Sequence, residues 1–134
     1  DGGAHCGLIC DASMPTWNIA HYTRDRVKGD KIPLEFLIRK QTKETAETFG
    51  LMDRGQIKEG YLADINIIDH ENLCVYKPEM VHDLPTGSRR IIQKAGGYIA
   101  TIKSGVVTFK NDQATGELPG TVLRGERTAE AIRA

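Results

Sequence analysis

The chain has 134 residues, and eighteen Lys and Arg balance eighteen Asp and Glu, so the formal net charge is zero. That length fits a single domain or the tail of a larger one, since independent cores commonly take about 100–150 residues. The charge balance removes the simplest support for a nucleic-acid or membrane partner, both of which draw on excess positive charge.

Hydrophobic residues make up 40% and charged residues 27% of the chain, ordinary globular usage and unlike the apolar-poor composition of disorder. Three cysteines, Cys6, Cys10 and Cys74, are an odd number without a secretory leader, which points to a reducing, cytoplasmic setting. No apolar run reaches the roughly 18–20 residues that a membrane helix needs. Position 1 is Asp rather than Met, and Asp1-Gly2-Gly3-Ala4-His5 reads like the interior of a site loop. A piece of a longer chain is the expectation.

Residues 1–15 are rich in Gly, Cys and small side chains and read as a loop. From Thr16 to Val27, Trp17, Ile19, Ala20 and Tyr22 recur at rough helical intervals, with Thr16 as the N-cap. Pro33 suits a first helical turn, and Leu34, Leu37 and Ile38 continue a second helix to Lys40. Thr42, Thr45, Ala46 and Phe49 predict a third, short helix ended by Gly50. Beyond residue 50 the period changes to β-branched runs punctuated by glycine, as in Ile65-Asn66-Ile67-Ile68. Residues 98–103 and 106–109 flank Ser104-Gly105, a two-residue hairpin signal. His82 to Gly87 reads as a turn-rich connection, and Arg124 to Ala134 as a polar tail with weak helical character. Three helices followed by about 80 β-rich residues leave the helices without strands of their own to cover, so something upstream is expected.

The opening Asp1 to His5, then Cys10-Asp11-Ala12-Ser13 and His21-Tyr22-Thr23-Arg24-Asp25-Arg26, resemble the region after the eighth strand in the N-acyl-D-amino-acid deacylase (D-aminoacylase-like) branch of the metal-dependent amidohydrolase superfamily. Gly50 to Asp69 resembles the segment by which such chains leave the barrel and re-enter a small β-sandwich. Val81 to Pro85, the Tyr98 to Phe109 hairpin, Leu118-Pro119-Gly120 and Arg124-Gly125 resemble the end of the same proteins. The resemblance implies an α/β parent, of which this chain is the C-terminal fragment of a (β/α)8 barrel, its last loop and helices, followed by a mostly antiparallel β-sandwich portion. Residues 1–50 would end the barrel, 51–124 form the small β-sandwich domain, and 125–134 the polar tail.

It also implies amide hydrolysis of N-acyl-D-amino acids, small-molecule substrates, to a carboxylate and a free D-amino acid, with zinc as the expected cofactor. Asp1 matches the carboxylate that handles protons beside the metal, taking one from water and returning it to the leaving amine. It is the catalytic candidate and, in the intact parent only, a candidate metal ligand. His5 could orient that carboxylate, touch substrate, or simply hydrogen-bond within its loop. His21, Arg24, Asp25 and Arg26 form either a solvated or ion-paired helix face, or a site in which an arginine, Arg24, meets the substrate's carboxylate by a bidentate contact.

The family's His-x-His and further ligands are absent from this chain, so the fragment alone is expected to be inactive. Cys6 and Cys10 read as packing residues rather than ligands. His82, Asp83 and Arg89 read as turn chemistry rather than a relay, and Gly96-Gly97 as a strand entry, not a phosphate cradle. Where narrow-specificity D-aminoacylases carry a Pro-His-Asp and Arg-rich loop, this chain has Gly-Ala-His-Cys-Gly-Leu-Ile-Cys, so the substrate's identity stays open. Two other readings stand beside it: another amidohydrolase, such as a cyclic amide hydrolase, and a non-catalytic β-rich module. Oligomeric state is not set by the sequence.

Overall fold

A computed structural model describes residues 5–124. Helix α1, Met14–Ala20, is led in by a 3-10 turn at Asp11–Ser13 and prolonged by a π-helical turn at His21–Asp25. The expected N-cap, Thr16, lies inside the helix instead. It is 6% exposed, and its hydroxyl meets the Tyr98 hydroxyl at 2.7 Å. The start has shifted upstream because Pro15, within the first turn of the helix, gives up no bonded N–H there.

Helices α2, Leu34–Arg39, and α3, Thr45–Thr48, were expected as separate elements, but a π-helical turn at Lys40–Glu44 joins them into one rod. Wide turns leave carbonyls poorly paired, and threonine hydroxyls take them up. Thr45 donates to the Lys40 carbonyl at 2.7 Å, Thr42 to Ile38 at 2.7 Å, and Thr23 to Ile19 at 2.7 Å. Gly50, at φ 73°, takes the left-handed conformation after the rod.

The strands follow: β1 Ile65–Ile68, β2 Cys74–Val75, β3 Glu79–Val81, β4 Arg90–Ile92, β5 Ala95–Gly96, β6 Tyr98–Lys103, β7 Val106–Lys110 and β8 Gln113–Ala114. Every pairing is antiparallel. The order β1-β6-β7-β8 makes one sheet, while β2 with β5 and β3 with β4 make two ribbons. Ser104 (φ 51°) and Gly105 (φ 83°) close the expected β6–β7 hairpin with positive φ at both central positions, as a type I′ turn requires. A second such turn, Asn111 (φ 47°) and Asp112 (φ 62°), joins β7 to β8 and was not foreseen. Asn and Asp tolerate that conformation, so the pair carried a signal of its own.

The core lies where α1 meets the turn between β1 and β2. Leu73 is fully buried, Ile19 and Ala20 are each 5% exposed, and Leu34, Ile38, Ile68 and Tyr98 pack around them. Gly97, at φ 99°, enters β6 against that core, and a Cβ there would stand 2.8 Å from the Leu73 Cα. Among the described residues, no helix is long and apolar enough to cross a membrane.

Candidate functional site

The residues that approach one another around the N-terminal loop come from three places: the loop itself, the start of α1, and the ribbon strands. His5 begins a turn in which its carbonyl accepts the Leu8 N–H at 2.7 Å and the Ile9 N–H at 2.8 Å. Ile91 in β4 donates its N–H to the Cys6 carbonyl at 2.6 Å, which ties the loop to the β3–β4 ribbon. Ser13 donates to the Gln93 side-chain oxygen at 2.5 Å, and the Gln93 amide donates in turn to the Tyr76 carbonyl at 2.8 Å. Gln93 thus holds the loop's far end, with the Cys10 thiol 3.9 Å from the same oxygen.

A cavity of about 330 Å³ opens at this junction. Met14, Trp17 and Val75 give it apolar walls, and Cys10, Asp11, Ser13 and Gln93 its polar lining. The indole of Trp17 is fixed from outside: His21 stacks on it with centroids 4.5 Å apart and planes 8° apart, and Tyr22 meets it edge-on at 5.5 Å. Sequence reasoning did not single out Gln93, and it quoted Asp11 within a motif without giving it a role. Gln93 follows an apolar strand with no motif around it, and its partner Ser13 lies 80 positions away in the chain.

Asp1 lies outside the described residues. His5 is exposed, on the loop just described. Of the two alternatives for Arg24, the geometry matches the ion-paired face and not the substrate contact. Its Nε and Nη2 donate to Asp25 at 2.6 and 2.9 Å, Nη1 donates to the carbonyls of His70 and of Glu71 (3.0 Å to the latter), and Nη2 also donates to Leu73 at 2.7 Å. All five N–H groups are engaged within the protein, so no fork is left for a substrate carboxylate. The π-helical turn delivers the guanidinium onto the β1–β2 turn, roughly 16 Å of helical rise from Ser13. In the chain, His5 precedes α1 and Arg24 follows it. His21 serves as the Trp17 stacking partner, and Asp25 is held below the usual carboxylate range by the hydrogen-bonded Arg24 guanidinium.

Asp83 pairs with Arg90 rather than Arg89, through two bonds of 2.6 Å that clip the base of the 84–89 turn. Cys6, Cys10 and Cys74 are free thiols. Among the described residues, no group of three His, Cys, Asp or Glu is placed to hold a metal ion. The zinc that the resemblance implies therefore does not fit on the described residues by themselves.

A family model described as "Amidohydrolase family" matches residues 1–109. A D-aminoacylase from Alcaligenes xylosoxydans xylosoxydans is 33% identical over 105 residues, covering 78% of this chain and 19% of that protein. A dihydroorotase from Endomicrobium trichonymphae is 33% identical over 85 residues, covering 63% of this chain and 20% of that protein. The chain thus spans about one fifth of the length of these curated relatives. No solved structure gives a significant match.

Proposed function

Because the chain belongs to the amidohydrolase family, we propose that it serves as the C-terminal part of a (β/α)8 hydrolase that cleaves N-acyl-D-amino acids to a carboxylate and a free D-amino acid. The observation that carries this reading is the 33% identity with a D-aminoacylase over 105 residues, 78% of this chain. Residues 1–50 would complete the barrel and 51–124 its small β-sandwich. Asp1 would act as the proton-handling carboxylate: it takes the proton of the attacking water and returns it to the departing amine, one group serving as base and then acid.

His5, exposed on the loop that follows, is the nearest described side chain in sequence for orienting that carboxylate or touching substrate. Zinc belongs to this proposal as a cofactor of the whole enzyme. The described residues form no three-ligand site for it, so its ligands would come from elsewhere. The match to a dihydroorotase supports a second reading, hydrolysis of a cyclic amide.

The test uses the full-length protein encoded at the native locus. Release of free amine is followed from N-acetyl-D- and N-acetyl-L-amino acids, ring opening is followed with dihydroorotate, and bound metal is measured by elemental analysis. Zinc together with D-selective amine release that Asp1→Asn abolishes is the expected result. Ring opening without amine release would replace the deacylase reading with the cyclic-amide one, and loss of neither activity in Asp1→Asn would remove Asp1 from the chemistry.

A further inference from the structure

The cavity at the start of α1 differs from an ordinary surface dent in how its polar groups are disposed. Ser13 and Gln93 satisfy each other and the Tyr76 carbonyl, so they act as a fixed wall rather than as open hydrogen-bonding sites. Met14, Trp17 and Val75 supply apolar surface, and the stacking of His21 on Trp17 fixes the indole in place. Asp11 is the one formally charged residue in the lining. It is exposed and takes no ion-pair partner among the described residues.

An unpaired carboxylate beside an aromatic ring, over an apolar wall, attracts an organic cation with an apolar stem and repels an anion. The volume, about 330 Å³, is at the small end of the roughly 300–1,000 Å³ of ligand pockets, so it suits one side chain rather than a whole larger molecule.

We propose that this cavity is the specificity pocket for the variable side chain of the substrate, and that it selects a basic side chain through Asp11 and Trp17. The inference rests on the amide-hydrolase reading above. Cys10 and Asp11 of the lining follow His5 by five and six positions in the sequence, so the proposed recognition residues and the proposed catalytic residue belong to one short stretch of chain. The methylene stem of a lysine-type substrate would lie along Met14, Val75 and the indole, with its ammonium at the Asp11 carboxylate. Asp11 is here a binding residue and takes no part in the hydrolytic step.

The experiment compares kcat/KM of the full-length protein for N-acetyl-D-lysine, N-acetyl-D-norleucine and N-acetyl-D-glutamate. Norleucine keeps the stem of lysine without the ammonium. The expected preference for lysine over norleucine is about fivefold, the upper end for one solvent-exposed charge contact. Asp11→Asn should bring that ratio close to one, and Asp11→Lys should place glutamate ahead of lysine. This inversion is a gain that misfolding cannot mimic. If amine is released but the ratios are the same in the wild type and both variants, the pocket assignment is overturned while the hydrolase reading stands. If none of the three compounds yields amine, the hydrolase reading fails and takes the pocket assignment with it.

Discussion

Arg24 is joined to the protein by five donated hydrogen bonds, three of them to the main-chain carbonyls of His70, Glu71 and Leu73. It staples the end of the first helical run to the turn that carries Leu73, the one fully buried large side chain among the described residues. Hydrogen bonds to charged donors are worth more than neutral ones, and the loss of this fork would leave several carbonyls poorly satisfied, so Arg24→Ala should lower stability by about 2–3 kcal/mol. Arg24→Lys should recover less than half of that, because an ammonium cannot reproduce a planar fork. Urea denaturation midpoints of the two variants measure both effects. The identity of Arg24 was legible as a charge worth naming, whereas its partners were not. Backbone carbonyls carry no sequence label, and these lie 46 to 49 positions away. The same holds for Gln93 and Ser13, whereas the stacking of Trp17 and His21, four residues apart on one helical run, follows the local spacing of a helix.

At the scale of elements, the β6–β7 hairpin was the most legible, because Ser104-Gly105 between two β-branched runs encodes the turn and the two pairs beside it, up to the bulge between Ile102 and Thr101 that shifts the register. What secures it comes from further away. Asp64 accepts the Ser104 N–H at 2.9 Å and the Lys103 ammonium at 3.0 Å, with the Arg54 guanidinium at 3.5 Å. Burial alone would raise the Asp64 carboxyl, but the Ser104 N–H, Lys103 and Arg54 outweigh it and hold the group below its ordinary value. A depressed folded value means that the unfolded chain binds the extra proton first. The stabilisation is therefore complete above the unfolded value near pH ~4 and is lost as pH falls through the lower folded value. Stability should be flat from about pH 7 to about pH 5 and decline below about pH 4, with a shallower decline in Asp64→Asn. Denaturation midpoints across that range check it. Gly97→Ala makes a sharper case. Its φ of 99° disfavours a side chain, and the added Cβ would meet Leu73 and Asp69 backbone atoms at 2.8 to 3.1 Å. Loss of about 3 kcal/mol or more is expected, against about 1 kcal/mol for Gly105→Ala, where nothing crowds the Cβ. Thermal melts of the two variants separate crowding from backbone conformation.

The described residues carry little core for their number. Among the described residues the buried hydrophobic ones are Ile19, Ala20, Ala46 and Leu73, while Val27 is 94%, Leu118 92% and Ile57 91% exposed. Apolar surface left open on this scale favours association. The chain purified by itself should elute larger than its 14.8 kDa mass and bind a hydrophobic dye, whereas a monomer that melts cooperatively would overturn this. The change from helical to strand periodicity near residue 50 was readable in the sequence. The merging of α2 and α3 was not, because a π-helical turn adds a residue without a breaker to announce it. The antiparallel order β1-β6-β7-β8 also sets a timetable. Strands β6 and β7 meet across two residues and can pair in about 1–10 μs, while β1 must find β6 across the 30 positions between Ile68 and Tyr98. Substitutions in the Ser104-Gly105 turn should therefore act mainly on the rate of folding, and those that loosen α1 from Leu73 mainly on the rate of unfolding.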